Sequence, residues 1–250
     1  MPVDVVWMGH ASVDVRLGPA RFVTDPVLRD RLAHLRRHRG TSTLAAGAPD
    51  AALISHLHHD HLDVPSLRRL PPSTVLVVPR GAGALVGRAG HDVVEVGVDD
   101  VVEIAGTRIT AVPAEHRGNR FLTRRTAPPL GFILERDGQV VYFAGDTDLH
   151  PVMHELPRPD VALLPIAGWG PTLGPGHLDA DRAAEAAAIL EAKTVLPIHW
   201  GTFAPRTGRR REPDWFDKPA DRYQTAMARE APSTRLHLVR PGDTVHRLVD

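Results

Sequence analysis

Positions 56 to 61 read His-Leu-His-His-Asp-His, and few backbone arrangements can use so much ligating chemistry in so short a run. The preceding segment, Ala51-Ala52-Leu53-Ile54-Ser55, is a short apolar run with strand character, and Val64 to Leu70 after it has helix character. The motif is therefore expected on a strand-to-helix loop. At a strand end alternate side chains share a face, so His56 and His58 can grip one ion while His59 points away. Where the chain turns toward the helix, Asp60 and His61 swing to a different direction and can hold a second ion. These side chains cannot complete two coordination spheres, because a catalytic divalent ion usually takes three or more protein ligands. The rest must come from distant segments.

Composition narrows the chemistry further. Cysteine is absent, which removes disulfides, thiolate catalysis and Cys-type zinc sites together, so any metal rests on His and carboxylate ligands. Lys193 and Lys218 are the only lysines, leaving little for Schiff-base chemistry. Lys+Arg and Asp+Glu balance at 30 each, which argues against a global field for nucleic acid, and none is expected as a partner. The Arg29 to Arg39 and Arg206 to Arg211 segments are read as solvated faces. No apolar stretch approaches the roughly 20 residues needed to span a bilayer. The N-terminus has no secretory pattern, so a cytoplasmic location is the expectation.

Hydrophobic periodicity lays out an α/β (α+β) chain, expected as a single domain over 1–250. Short β-branched runs at 3–7, 13–17 and 21–24 suggest an antiparallel opening sheet, and the polar stretch 30–42 a surface segment. Further strands are expected at 74–78, near 93, and at 101–104 and 108–112, with a short helix at 83–88. A hairpin is expected at 131–143 around Asp137-Gly138. The second half alternates strand 161–165, helix 179–192, strand 195–198, helix 219–229 and closing strands 235–239 and 244–248. Asp148 is expected to cap a helix over 149–156. Strands in two groups suggest two sheets packed together between helical layers.

Three further ligand types stand at expected strand ends: His116 after Val112-Pro113-Ala114-Glu115, Asp146 after Ala144-Gly145, and His199 after Pro197-Ile198. The ordered set resembles the metallo-β-lactamase superfamily, and within it the branch of ascorbate-6-phosphate lactonase-like and N-acyl-phosphatidylethanolamine phospholipase D-like hydrolases. The narrower resemblance is carried by Trp7-Met8-Gly9-His10-Ala11-Ser12, Thr24-Asp25-Pro26, Ser55 to His61, Gly145-Asp146-Thr147 and Pro197 to Phe203. It implies a four-layered αββα sandwich with the site at one edge of the sheets. It also implies a first metal on His56, His58 and His116, a second on Asp60, His61 and His199, and Asp146 bridging them. The cofactor expected is two divalent ions, zinc by default, with manganese or iron suited to the same donors. Such a pair can share a hydroxide, the implied nucleophile on an ester, lactone or phosphodiester bond of a small or medium-sized substrate.

Around this centre, Asp25 and His10 are expected to support ligands, and Asp63 to cap the following helix or support a ligand. Asp60 counts among the catalytic groups as well as the ligands, and His177 or a metal-bound water is the candidate proton donor to the leaving group. The Gly/Pro-rich loop 168–177 should form a pocket wall that presents Trp169 and His177 to substrate, with Trp200 a pocket wall or local core. Three other functions are weighed for the same residues: a nuclease or phosphodiesterase on RNA or DNA, a non-catalytic metal-binding protein, and a redox di-iron protein, which would need a partner flavin domain.

Overall fold

Apolar side chains alternate along the strands and divide their burial between two cores. In the strand Ala51–Leu53, Ala51 and Leu53 join one buried cluster, while Ala52 and the following Ile54 join another. Phe22 and Val23 divide in the same way, as do Val77 and its neighbours Leu76 and Val78. A strand buried on both faces belongs inside a layered sandwich. The computed structural model describes residues 2–120, 125–206 and 212–248.

Two seven-stranded sheets make up the sandwich, with a small three-stranded sheet beside them. The first sheet runs Thr244–Val245, Val3–Gly9, Ser12–Leu17, Ala20–Thr24, Ala51–Leu53, Val75–Pro79, Val93–Val96. Its first four strands are antiparallel, and pairing from Ala20–Thr24 onward is parallel. The second runs Arg235–Leu236, Thr194–Ile198, Val161–Pro165, Gln139–Phe143, Leu130–Arg136, Thr107–Pro113, Val101–Ile104. It is parallel through Gln139–Phe143 and antiparallel beyond. The hairpin at Asp137-Gly138 has both turn residues at positive φ, 48° and 79°, and pairs Arg136 with Gln139, as a tight turn matched to strand twist requires.

Short helices Val64–Leu67 and Gly83–Val86 supply buried Leu67 and Val86 to the core cluster behind the first sheet. The helix Ala180–Ile189 lies against Val161–Pro165 of the second sheet and packs on Lys218–Glu230. Its buried face is alanine at 180, 183, 184, 186 and 187, which lets the backbone approach closely. Asp179 starts it, accepting from the Arg182 backbone N–H at 3.0 Å. The architecture is the αββα sandwich.

Several expectations are corrected. The stretch 30–42 is not simply a polar surface segment: Arg31–Leu32 and Leu35–Arg37 form a hairpin that pairs with Phe203–Pro205, burying Leu32, Leu35 and Phe203 together. Its arginines are not all solvated either. Arg37 is buried and donates to the Val27 carbonyl at 2.6 Å, Arg29 pairs with Asp63, and Arg39 pairs with Glu212 and Asp217. Asp148 caps no helix; it pairs with Arg182, and the following Pro151–His154 turn is capped by His150. The last strands shrink to two residues each, Arg235–Leu236 and Thr244–Val245. Residues 207–211 of the second Arg-rich segment lie outside the described residues.

Candidate metal centre

The two sheets place their chemistry by one rule: side chains that could act lie just past the carboxyl ends of neighbouring strands. Ala51–Leu53 leads into His56 to His61, Thr107–Pro113 into His116, Gln139–Phe143 into Asp146, and Thr194–Ile198 into His199. The loop after Val161–Pro165 carries His177. Outside the ends of parallel strands, open backbone and diverging loops leave room for a site.

Two groups of ligating atoms result. His56, His58 and His116 form one, and His10, Asp60, His61 and His199 the other, with the offered atoms of each group lying within 4.8 Å of one another. Asp146 stands between them: its Oδ2 is 3.2 Å from His61 Nε2 and its Oδ1 3.2 Å from His199 Nε2, and it clusters with His116 and His177 as well. All seven residues implied as ligands are thus brought together, and His177 joins them at 3.5 Å from Asp146 Oδ2.

The far nitrogens of these rings are already engaged. His61 Nδ1 lies 2.7 Å from Asp25 Oδ2, His116 Nδ1 2.6 Å from the Gly176 carbonyl, and His199 Nδ1 2.7 Å from the Ala167 carbonyl. Each carbonyl or carboxylate accepts an N–H, so a neutral ring must turn the lone pair of its Nε2 inward. There His61 Nε2 meets His199 Nε2 at 3.1 Å, and His116 Nε2 meets His58 Nδ1 at 3.1 Å. Where both rings are neutral, as His61 and His199 would be around a metal, two lone pairs face each other and a cation between them removes the repulsion, whereas His58 Nδ1 can also donate to His116 Nε2. The spacing is near the edge of about 3.3 Å expected between two nitrogens bound tetrahedrally to one zinc. His56 Nε2 and Asp146 Oδ1 are buried without a hydrogen-bond partner, a costly state for polar atoms that a metal would relieve. The residues present fit a divalent metal centre.

Electrostatics agree. Burial lowers the pKa of His58 to about 4 and of His199 to about 3, and holds His56 well below the usual imidazole range, so all three rings are neutral at neutral pH, the form in which imidazole can bind a metal. Burial alone would raise Asp60 and Asp146. The imidazoles of His61 and His10 around Asp60, and of His199 and His61 around Asp146, instead hold both carboxyls well below their usual range. His61 goes the other way: burial would lower it, but Asp146, Asp25 and Asp60 outweigh that and raise it. Three carboxylates facing one buried ring mark a deficit of positive charge, which metal cations would make good.

A further shell of side chains fixes the ligands. Asp25 accepts from the Ser55 backbone N–H at 2.7 Å and from its Oγ at 2.5 Å, tying the strand end while it orients His61. Ser55 Oγ in turn meets His56 Nδ1 at 2.9 Å. His10 does not hold a ring; its Nε2 lies 2.9 Å from Asp60 Oδ2, and its ring packs at a tilt against His199 at 3.8 Å between centroids. Asp63 is the cap of the Val64–Leu67 helix and also the partner of Arg29. Trp200 is 3% exposed and packs on Trp7 in the core, so it is not a substrate wall. Trp169, 37% exposed, does line the pocket together with His177.

Arg120 has a place in this shell that sequence reasoning did not give it. Its guanidinium donates to the carbonyls of Leu57 at 2.6 Å and Leu62 at 3.1 Å and meets His59 Nδ1 at 3.0 Å, spanning the metal loop from start to end. The only signal was its place four residues after His116, which by itself says nothing about carbonyls some sixty positions away.

Comparison with known proteins agrees with this geometry. The beta-lactamase superfamily domain matches residues 20–200. A metal-dependent hydrolase of Methanopyrus kandleri is 30% identical over 208 residues, 80% of this chain and 85% of that one. An N-acyl-phosphatidylethanolamine-hydrolyzing phospholipase D of Caenorhabditis elegans is 30% identical over 253 residues, 90% of this chain and 70% of its own. Among solved structures, the metallo hydrolase Igni18 of Ignicoccus hospitalis shares the fold with a TM-score of 0.73 at 23% identity, covering 98% of both chains. Among the described residues no helix is long and apolar enough to cross a membrane. The chain belongs to the metallo-β-lactamase superfamily, among its metal-dependent hydrolases.

Proposed function

We propose that the protein hydrolyses an ester, lactone or phosphodiester bond of a small or medium-sized molecule at a centre of two divalent ions. His56, His58 and His116 would hold the first ion, Asp60, His61 and His199 the second, and Asp146 both. The observation that carries this reading is the gathering of His56, His58 and His116 beside Asp60, His61 and His199, with Asp146 in contact with both sets and His56 Nε2 buried without a hydrogen-bond partner. Two divalent ions supply a nucleophile by lowering the pKa of water and withdraw charge from the scissile oxygen. Zinc is the default, and manganese or iron suits the same donors.

The chain's own residues do the positioning. Asp25, Gly176 and Ala167 hold three imidazoles by their Nδ1 atoms, and His10 orients Asp60 by a bond to its Oδ2. His177, on the pocket wall with its Nδ1 3.1 Å from the Gly174 carbonyl, presents Nε2 toward Asp146 and is placed to pass a proton to the leaving group. Trp169 lines the same pocket.

The test is metal analysis of loaded protein combined with lactone, carboxylic ester, phosphodiester and thioester substrates. Two ions per chain and turnover of at least one class are expected. Fewer than two ions after loading would overturn the dinuclear reading, and salt-sensitive binding of single-stranded RNA would favour a nuclease.

A further inference from the structure

The pocket at the metal centre has a volume of about 210 Å³. Small-molecule sites usually begin near 300 Å³, so this pocket is small for a medium-sized substrate. The loop that walls this pocket has a second face. Gly170, Thr172 and Leu173 line the metal pocket on one side and, on the other, a groove of about 480 Å³. The partition is thin. Leu173 packs over Gly168, where an added Cβ would meet Leu173 Cδ2 at 3.1 Å, and Ala167, whose carbonyl is 2.7 Å from His199 Nδ1, lines the groove itself.

The groove is chemically two-sided. Ile166, Ala167, Pro171 and the half-buried Trp215 give it an apolar floor, and Lys218 and Arg222 give it cations. Its one carboxylate, Asp179, is occupied in capping the Ala180–Ile189 helix. Arg222 shares its charge with Asp181, whereas Lys218 forms no ion pair among the described residues. An apolar floor rimmed by an unpaired ammonium suits a molecule with an apolar body and an anionic end.

We propose that this groove is the distal half of the substrate site and takes an apolar chain or ring ending in an oxyanion, while the scissile bond lies across Leu173 at the metal centre. Its role as a substrate site rests on the proposed hydrolysis; its capacity to bind such a molecule does not. The carboxylate and phosphate forms of such an end share this chemistry.

The test is equilibrium binding to the metal-loaded protein, followed by tryptophan fluorescence, with octane-1-sulfonate as the probe because a sulfonate is a weak metal ligand. Octylammonium is the control of opposite charge, and octanoate and octyl phosphate separate the two natural forms. A saturable signal with octane-1-sulfonate is expected, lost in Trp215→Phe, and absent with octylammonium. Lys218 is exposed, so Lys218→Glu keeps the fold and should weaken sulfonate binding at least about tenfold. Binding unchanged by Lys218→Glu, equal binding of octylammonium, or no saturation would each overturn the proposal. Lys218-dependent binding without turnover of any lactone, ester, phosphodiester or thioester on the panel would leave the groove standing and overturn the proposed reaction at the metal centre.

Discussion

Asp25 and His61 are joined by a 2.7 Å hydrogen bond between Oδ2 and Nδ1, with both side chains fully buried. The second oxygen of Asp25 takes the Ser55 backbone N–H, so one carboxylate sets both the exit of the strand and the direction of a ligating ring. Asp25 also adopts a positive φ of 33°, which aspartate and asparagine tolerate better than most residues.

Asp25→Asn keeps the shape and the backbone preference but weakens the grip on His61. Metal affinity is expected to fall about 10–100-fold, the usual range for losing an outer partner of a ligating histidine. Competition with a calibrated chelator measures it; affinity equal to the parent's would show that Asp25 serves the strand end alone.

Asp146→Ala removes the carboxylate that stands between the two groups of histidines. Both ions should be lost or held only weakly, and turnover should vanish. Metal content after gel filtration and activity on whichever substrate class is found decide the matter, and full activity in this variant would remove Asp146 as the shared ligand.

Removing the metal leaves Asp25, Asp60 and Asp146 crowded around a single imidazole, His61. Chelated protein should therefore melt lower than loaded protein. Free metal at a hundred times Kd should restore about 2.7 kcal/mol, with Tm climbing further as metal is added. A Tm independent of metal would contradict binding to the folded state.

Arg120→Met leaves the Leu57 and Leu62 carbonyls without the guanidinium that spans them. The expected loss is about 2 kcal/mol or more, because buried acceptors are left unsatisfied. In cobalt-loaded protein the visible spectrum should change as the loop shifts. Arg120→Lys, which lacks the planar fork, should recover only part of the effect. An unaltered spectrum at lowered stability would reduce Arg120 to a purely structural residue.

Gly145→Ala tests the close approach of the Asp146 turn to the metal loop. Gly145 has a φ of 63°, and an added Cβ would lie 2.7 Å from Ser55 Cβ and 2.9 Å from the Leu130 carbonyl oxygen. Backbone cannot yield cheaply, so a stability loss of about 1–3 kcal/mol is expected in thermal or urea unfolding.

Much of this centre was legible because its signals are local. A run with four candidate ligands, His56, His58, Asp60 and His61, needs no partner to be recognised, and His116, Asp146 and His199 each follow a readable strand. The Asp137-Gly138 hairpin was legible for the same reason: two residues carry the whole turn. The hairpin within 30–42 was not, because its strands are two and three residues long and are held by pairing with Phe203–Pro205, far away in the chain. Asp148 misled because a capping residue looks the same whether it bonds to a helix or to Arg182 across the fold.

The sequence by itself determined which donors this protein has and the order in which the strands deliver them, since alternation and turn chemistry act over a few residues. Only the tertiary structure decided that His10 bonds Asp60, that Trp200 lies in the core and that Arg120 spans the metal loop. It also decided that one face of the loop 170–173 meets the metal pocket while the other meets Lys218. These relations depend on the angle at which sheets and loops pack. That angle is set by burial summed over many side chains rather than by any short run of residues.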